Sequence, residues 1–525
     1  MRRGYFLGVM FVSPWFLMAG VLILLGSSAP VRAQGFIIPE LGARKNAMGT
    51  AIGRPDDLSA IYHNPAALAW MRGTRIGTSV GAAFLGTRIR LAPWKDSDKY
   101  IKDPVDADGY YPAEAPNIFA PIPFLGVSTN LWSDKIVGAL GIYVPNAAGA
   151  TFGRDQPTRY HVIDGYIVSA YFTAAVAYRP LDWLSVGIGV SAAYIRIERR
   201  SYLFPMLGGK DVSGMLGSET EVELIGDDFK PAFSFGIQAW PLKTLSLGFM
   251  FLTPPLPDVT ISGPLRLKLG KDADPFWDKP ALTENEQETK LGAPWALGVG
   301  ANWDVTPWLE LGAELRYYIS SHIDEQVTTI TNKDSVLKSF LPNGQLVTPK
   351  NLHNTFHVGG GLLVRPLLPL DLEIMSGFHY ENSASPDNTV EVSVPSFDIL
   401  ALHIGARWHF ARRYALTLSY SHYWYFERTT TDSLTDPPTN FTGSGFTNQV
   451  TAVFEVSFES GLGVAPLAKK ATTGGDAPRS VPMRPFPASK PSGSHPTSMS
   501  TMTTPATTPA TTPATTPATT PATQK

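Results

Sequence analysis

Two kinds of connection alternate along this chain, and that alternation restricts the fold more than any other feature of the sequence. Apolar residues alternate with small or polar ones in segments near 74–91, 115–131, 136–147, 165–179, 182–198, 231–240, 243–265, 292–303, 307–320, 354–365, 369–381, 396–410, 413–427 and 446–458. A period of two is that of a β-strand, whose successive side chains point to opposite faces. One set of connections is tight: Trp132-Ser133-Asp134-Lys135, Arg179-Pro180-Leu181, Pro241-Leu242, Asp304-Val305-Thr306, Pro366-Leu367-Leu368 and Ala411-Arg412. The connections between them are long, as at 199–230, 266–291 and 321–353. A soluble sandwich or propeller has no use for strict alternation, whereas a bacterial membrane barrel has short periplasmic turns and long outer loops. The expected fold is all-β, an antiparallel transmembrane β-barrel of about fourteen strands, and an even count puts both ends on the periplasmic side.

The faces of the strands point the same way. Leu309, Leu311, Ala313, Leu315, Tyr317 and Ile319 share one face, and Glu310, Gly312, Glu314 and Arg316 share the other. Leu400, Leu402, Ile404 and Ala406 oppose His403, Gly405 and Arg407. Charges and glycines on the second face fit a polar lumen, with the apolar face toward lipid. Trp132, Trp183, Trp240, Trp303, Trp308 and Trp408 lie beside short turns, as an aromatic girdle at one membrane interface would.

Composition removes several function classes. Charged residues make up 17% of the chain, against about 25% in a soluble domain. A net charge of -2 offers no basic surface for nucleic acid. The absence of cysteine removes thiol nucleophiles, disulfides and thiolate metal sites. There is no nucleotide motif, so no cofactor is expected.

Both ends of the chain read differently from its middle. Arg2 and Arg3, an apolar stretch from Tyr5 to Gly26 and the small-x-small Val31-Arg32-Ala33 make residues 1–33 a signal peptide. Residues 459–525 are rich in Thr and Pro, with Thr-Thr-Pro-Ala repeats from Thr503 to Ala522. Such a segment has nothing to bury and is expected to be a disordered, extended periplasmic tail. Its basic residues suit a cell-wall contact.

Residues 34–72 precede the first strand and have no strand pattern. They contain Glu40-Leu41-Gly42, Gly49, Gly53, Asp56-Asp57 and Asn64-Pro65-Ala66. With Arg159-Tyr160, the run Thr173–Gly187 and Gly292-Ala293-Pro294 leading into Leu297-Gly298-Val299, the chain resembles the FadL/TodX-type outer-membrane transporters over about residues 34–458. The resemblance implies that residues 34–72 form a hatch plugging the lumen of a 73–458 barrel, with Asn64, Pro65 and Ala66 at its gating motif. It implies passive, ligand-gated uptake of hydrophobic molecules, foremost long-chain fatty acids, in the bacterial outer membrane. Hatch movement and a kink in the third strand would open a lateral path to lipid, and here that strand is expected to end at Val144-Pro145-Asn146. Outer membrane lipid and the barrel-assembly machinery are the implied partners. The chain departs from the family in running on past Phe458.

The residues themselves keep other readings open. Asn64-Pro65 also suits the start of a helix, since proline is favoured at the first helical position. Glu310, Glu314 and Arg316, and likewise Asp371, Glu373 and His379, pair carboxylates in a way that invites acid–base chemistry, but lumen charges that fix a barrel interior explain them better. His403, His409 and Ser421 on late strands lack any supporting nucleophile motif, so no catalytic residue is expected. Asp106-Ala107-Asp108-Gly109 lacks the twelve-residue calcium-ligand pattern and is expected to be a turn, leaving no metal site. Arg159, Arg316 and Arg407 are the candidate partners for a carboxylate ligand, because guanidinium binds carboxylate bidentately. Leu203 and Phe204, in a long loop, are candidates for an apolar capture groove. The alternative function is a structural or adhesive barrel tied to the cell wall by the tail. On the expected topology, a protease site inserted in 321–353 is cut on intact cells and one in 459–525 is not, a difference that immunoblotting reads directly.

Overall fold

The computed structural model of the protein describes residues 40–458, apart from 132, 205, 208–209, 218, 366–370 and 412. The expected signal peptide and tail, Trp132, and the tight turns at 366–368 and at 412 therefore lie wholly or partly outside the described residues.

The sheet consists of β1 (Thr74–Leu91), β2 (Asn117–Asn130), β3 (Ile136–Thr151), β4 (Asp164–Leu181), β5 (Leu184–Tyr202), β6 (Glu221–Leu242), β7 (Leu245–Leu252), β8 (Val259–Lys268), β9 (Glu284–Leu291), β10 (Trp295–Thr306), β11 (Leu309–Ile319), β12 (Glu325–Ile330), β13 (Gln345–Pro349), β14 (Thr355–Val364), β15 (Asp371–Glu381), β16 (Ile399–Phe410), β17 (Tyr414–Thr429) and β18 (Phe441–Phe458). The antiparallel ring runs β1 through β7 in order, then β10, β11, β14, β15, β16, β17 and β18, fourteen strands in all. β1 pairs with β2 on one side and with β18 on the other, from Thr74↔Phe458 to Leu91↔Phe441, so the ring closes and has no free edge. β8, β9, β12 and β13 extend the sheet beyond the ring, where β8 pairs with both β6 and β9.

This extension corrects the expected loops. The stretches 266–291 and 321–353 carry strands, and both ends of 199–230 belong to β5 and β6. The reason is physical: beyond the lipid the outward face meets water and need not be apolar, while the inward face can be polar, as with the buried Asn285, Gln287 and Thr289 of β9. Cross-strand ion pairs take the place of apolar alternation, as where Arg200 lies 3.1 Å from Glu223 and 3.0 Å from Glu198. The expected strand 243–265 is broken between β7 and β8 by a run holding Pro254, Pro255 and Pro257, which lack the N–H a ladder needs. β3 does not end at Val144-Pro145-Asn146 but continues to Thr151, with a register shift against β4 between Tyr143 and Asn146.

Within the ring the apolar face is outside. Val80, Leu140, Ile188, Ile404 and Leu418 are 55–60% exposed, while Gln238, Asn302, Glu310, Glu314, Arg316 and His357 of the other face are buried. Trp183, Trp303, Trp308 and Trp408 are exposed as girdle residues should be. Trp240 is not: it shares the parity of Gln238 and turns inward, 5.7 Å from Trp70 and beneath Arg54.

Residues 40–71 fill the space inside the ring and are almost entirely buried. They form two short helices, α1 (Ala43–Met48) and α2 (Ala60–His63), and a 3-10 turn at Pro65–Trp70. The wall lets their backbone approach closely where it has glycine. A Cβ on Gly248 would lie 1.9 Å from the Ile52 carbonyl oxygen, and one on Gly377 would lie 2.0 Å from that of Met48. Because valine suits a strand, Gly248→Val should change barrel stability by no more than about 1 kcal/mol while displacing the segment. Heat-modifiable gel mobility should persist and bilayer conductance should rise.

Candidate functional site

Asn64 anchors the interior segment. Its side chain caps the 3-10 turn by accepting from the Ala66 N–H at 3.2 Å. Its Nδ2 donates to the Ile237 carbonyl and to Gln238 Oε1, both at 3.0 Å, on β6. Pro65 occupies the first position of the turn, where its missing N–H costs nothing. Ser185 Oγ of β5 donates to the Ala66 carbonyl at 2.8 Å and accepts from Trp70 Nε1 at 2.8 Å. Asn64, Pro65 and Ala66 thus fasten the segment to β5 and β6.

A buried ion network fastens it on the opposite wall. Asp56 accepts two hydrogen bonds from Arg407 of β16, each 2.9 Å, and one from Arg44 of α1 at 2.7 Å. Burial pushes the Asp56 carboxyl up, but the Arg407 and Arg44 guanidiniums outweigh it and hold the group well below the usual carboxylate range. Arg44 also reaches Glu310 of β11 at 2.6 Å, and Arg54 and Arg365 each lie 3.0 Å from the same carboxylate. Arg365 and Arg407 meet Glu373 of β15 at 3.2 and 3.3 Å. Glu314 accepts from Arg316, from Lys45 and from the N–H groups of Ala51 and Ile52, at 2.6 to 2.9 Å. Arg316 and Arg407, expected as ligand partners, are therefore bound to protein carboxylates. The lumen charges Glu310, Glu314 and Glu373 act together, as their strand faces implied.

Next to this network the β14–β16 wall carries His357, His379 and His403. His357 lies 3.3 Å from Glu381, and His379 Nδ1 lies 2.9 Å from His403 Nε2. His403 also contacts Ser421 at 2.8 Å. The ligand atoms of His357, His379 and Glu381 fall within 4.8 Å of one another, but an ammonium already lies against the group, and it is not assigned as a metal site. The Lys45 ammonium, 2.8 Å from His357 Nε2, sets a positive charge against that same imidazole.

Two cavities lie one above the other along β3, β5 and the approach to β10. The inner, about 60 Å³, is lined by Tyr62, Tyr143, Pro145, Tyr171, Ser191 and Tyr318, among others. Beside it the β2–β3 ladder stops at Phe124↔Tyr143, although β2 runs on to Asn117 against β1 and β3 runs on to Thr151 against β4. The outer cavity, about 180 Å³, has Val162, Ile167, Ile197, Leu291, Ile323 and Val394 in its lining, with Arg199, Lys350 and Glu391 also present. Lys350 is 2.9 Å from Glu391. Burial raises the Glu391 carboxyl, and Lys350 and Arg199 bring it down to about 2. Sequence reasoning missed Arg199 and Lys350 because both fell in stretches read as loops.

The other expected ligand residues lie apart from this cavity's charged rim. Arg159 donates to the backbone carbonyls of Gln156 and Tyr100 at 2.9 and 2.7 Å and stacks on Tyr160. Phe204 packs against Trp94, Tyr100 and Tyr160, joining the first long loop to the third. Leu203 packs on the cluster around Leu216 and Leu265. Asp106 and Asp108 both bind Arg90, and Asp106 Oδ1 accepts from two N–H groups, which makes the segment the expected turn.

A family model described as outer membrane protein transport protein (OMPP1/FadL/TodX) matches residues 24–458. Among solved structures, a FadL homologue from Pseudomonas aeruginosa is 17% identical with a TM-score of 0.65, covering 81% of this chain and 98% of its own. The P. putida toluene transporter TodX is 13% identical with a TM-score of 0.60, covering 80% and 98%. The monoaromatic hydrocarbon channel CymD is 12% identical with a TM-score of 0.53, covering 80% and 99%. No curated protein sequence matches the chain.

Removing one member of a buried ion set strands the others at a cost of about 3–5 kcal/mol. Asp56→Ala leaves Arg44 only Glu310 and Arg407 only Glu373 as carboxylate partners, and should loosen residues 43–63 by up to that amount while β-strand content stays constant. Hydrogen exchange resolved by mass spectrometry measures it, and Asp56→Asn should fall between the alanine variant and the wild type.

Proposed function

We propose, from the premise that this chain belongs to the outer membrane protein transport family OMPP1/FadL/TodX, that it is a passive channel for long-chain fatty acids opened by movement of its N-terminal segment. The chain is an outer-membrane transporter of hydrophobic compounds and not an enzyme; the fatty-acid class and the gating are our reading. The observation that carries it is the outer cavity, where an apolar lining meets the cations Arg199 and Lys350 beside the carboxylates Glu198, Glu325 and Glu391. An alkyl chain would bury apolar surface there, and its carboxylate would replace Glu391 as the partner of these cations. The inner cavity with its four tyrosines lies next along the same strands. The stop in the β2–β3 ladder gives a place for the ligand to leave sideways into lipid. In this reading residues 34–72 are the hatch, and Asn64, Pro65 and Ala66 hold it to β5 and β6. No cofactor enters: a ligand moves down its own gradient through sites that bury more apolar surface than water allows.

One observation favours a second substrate class. A cavity of about 180 Å³ is close to the ~150 Å³ that suffices for benzene, and two of the similar structures are described as channels for toluene or monoaromatic hydrocarbons. A cation pair can offer such a ligand only a cation–π contact and no charge-assisted hydrogen bond, which separates the two readings. In a strain lacking its own fatty-acid importer, the chain should support growth on oleate. The Arg199→Ala, Lys350→Ala double variant should weaken oleate binding about 10- to 100-fold, as expected for losing charge-assisted bonds worth ~1.5–3 kcal/mol. Toluene binding should be unchanged. Wild-type uptake of toluene with none of oleate would move the aromatic reading to the front.

A further inference from the structure

Two imidazoles join the interior segment to the wall, one from each side. On the wall, His357 Nε2 lies 2.8 Å from the Lys45 ammonium of α1. That ammonium has three N–H groups and three neighbours to receive them: the Gly49 carbonyl at 2.6 Å, Glu314 Oε1 at 2.9 Å and His357 Nε2. An ammonium has no lone pair, so His357 Nε2 accepts, and its own proton sits on Nδ1 toward Glu381 at 3.3 Å. On the segment, His63 Nε2 donates to the Leu41 carbonyl at 2.7 Å, so its Nδ1 accepts from Arg316 Nη2 of the wall at 3.0 Å. Each ring spends its one lone pair on a cation across the interface.

We propose that the interior segment is held by an acid-released latch: a proton taken up at His357 and at His63 breaks the contacts with Lys45 and Arg316 and frees the segment from the wall. This rests on reading that segment as the moving hatch. Whichever of Lys45 and His357 holds the shared proton, a second one leaves two positive charges at hydrogen-bond distance with no water between them. The surroundings offer little relief. Facing His357 are Lys45 from α1, Glu314 and Arg316 from β11, His379 and Glu381 from β15, and His403 from β16. Glu314 is already shared by Arg316, Lys45 and two backbone N–H groups. Facing His63 are Arg316, Glu314 and Lys45. Burial, and then the Arg316 guanidinium, push the His63 imidazole down to about 3.

The sign follows from proton counting. The docked segment refuses protons that the undocked one accepts, so falling pH favours undocking. One imidazole titrating near 6.5 once released is enough to shift the undocked-to-docked ratio about 100-fold between pH 7.5 and 4.5.

The chain has no cysteine, so a single reporter is clean. In the full chain reconstituted into liposomes, Met48→Cys on buried α1 is labelled with a maleimide, and its rate is divided by that of Lys271→Cys on an exposed loop to cancel the pH dependence of the reagent. The relative rate should rise about 100-fold from pH 7.5 to 4.5. With His63→Gln and His357→Gln together it should stay flat, because glutamine keeps an acceptor for each cation and a donor for the other side but does not titrate. If the double variant is already labelled fast at pH 7.5, each single replacement is measured, and each should lower the pH response of the wild type. Equal wild-type rates at the two pH values, or a response that survives the replacements, overturns the latch. Labelling needs no transported solute, so a chain that moves no fatty acid still decides the question.

Discussion

A charge taken out of water is stable only when paired, and the interior of this barrel depends on that constraint. The strands close the ring by their own pairing, each bonded to a neighbour on both sides. The lumen face is not complete in this way. Glu310, Glu314, Glu373, Arg316, Arg365 and Arg407 project from the wall into a space with little room for water, and although three carboxylates face three guanidiniums, they do not meet all of one another's hydrogen-bonding needs. Asp56, Arg44, Arg54 and Lys45 come from residues 40–71 to complete the set. The interior segment is thus chosen by the charges of the barrel, and the fold of the segment by its own few caps: Asp57 receives the N–H groups of Ala43 and Arg44 to start α1, and Asn64 starts the turn at Pro65.

In the gating we propose, the same constraint governs how the channel opens. An interface of apolar side chains can slide at a graded cost, but one of buried ion pairs holds until its partners are replaced together. Water entering from the rim, protons on the two imidazoles, or a ligand that competes for cations each supply replacements. The wall glycines let the segment backbone sit against the strands, so that polar contacts form at full strength. The tyrosine-lined inner cavity lies close to the stop in the β2–β3 ladder.

Much of the barrel was legible because its signals are local. The parity of Leu309–Ile319 places Glu310, Glu314 and Arg316 inside without reference to any other strand, and the same rule places Trp240 inside although its position by a turn suggests a girdle. The outer strands β9, β12 and β13 were not legible, since the apolar alternation is lost where the outward face meets water, and in β9 even the buried face is made of Asn285, Gln287 and Thr289. Pro254, Pro255 and Pro257 mark a break that an otherwise continuous apolar pattern conceals. The site was legible only in half. Arg407 has lumen parity, but nothing local joins it to Asp56, 351 residues away in a segment without a repeat. Arg199 and Lys350 come together because β5 and the outer loops fold over one cavity, and no spacing along the chain encodes that meeting.

The central claim is that hydrophobic molecules pass through this barrel along the outer and inner cavities. A density map of the purified full chain with saturating oleate tests it most directly. Elongated density is expected from the Arg199–Lys350 pair down toward Tyr143 and Tyr171, with its charged end at the two cations. A map in which both cavities stay empty, or in which oleate lies only on the lipid-facing surface, would contradict it.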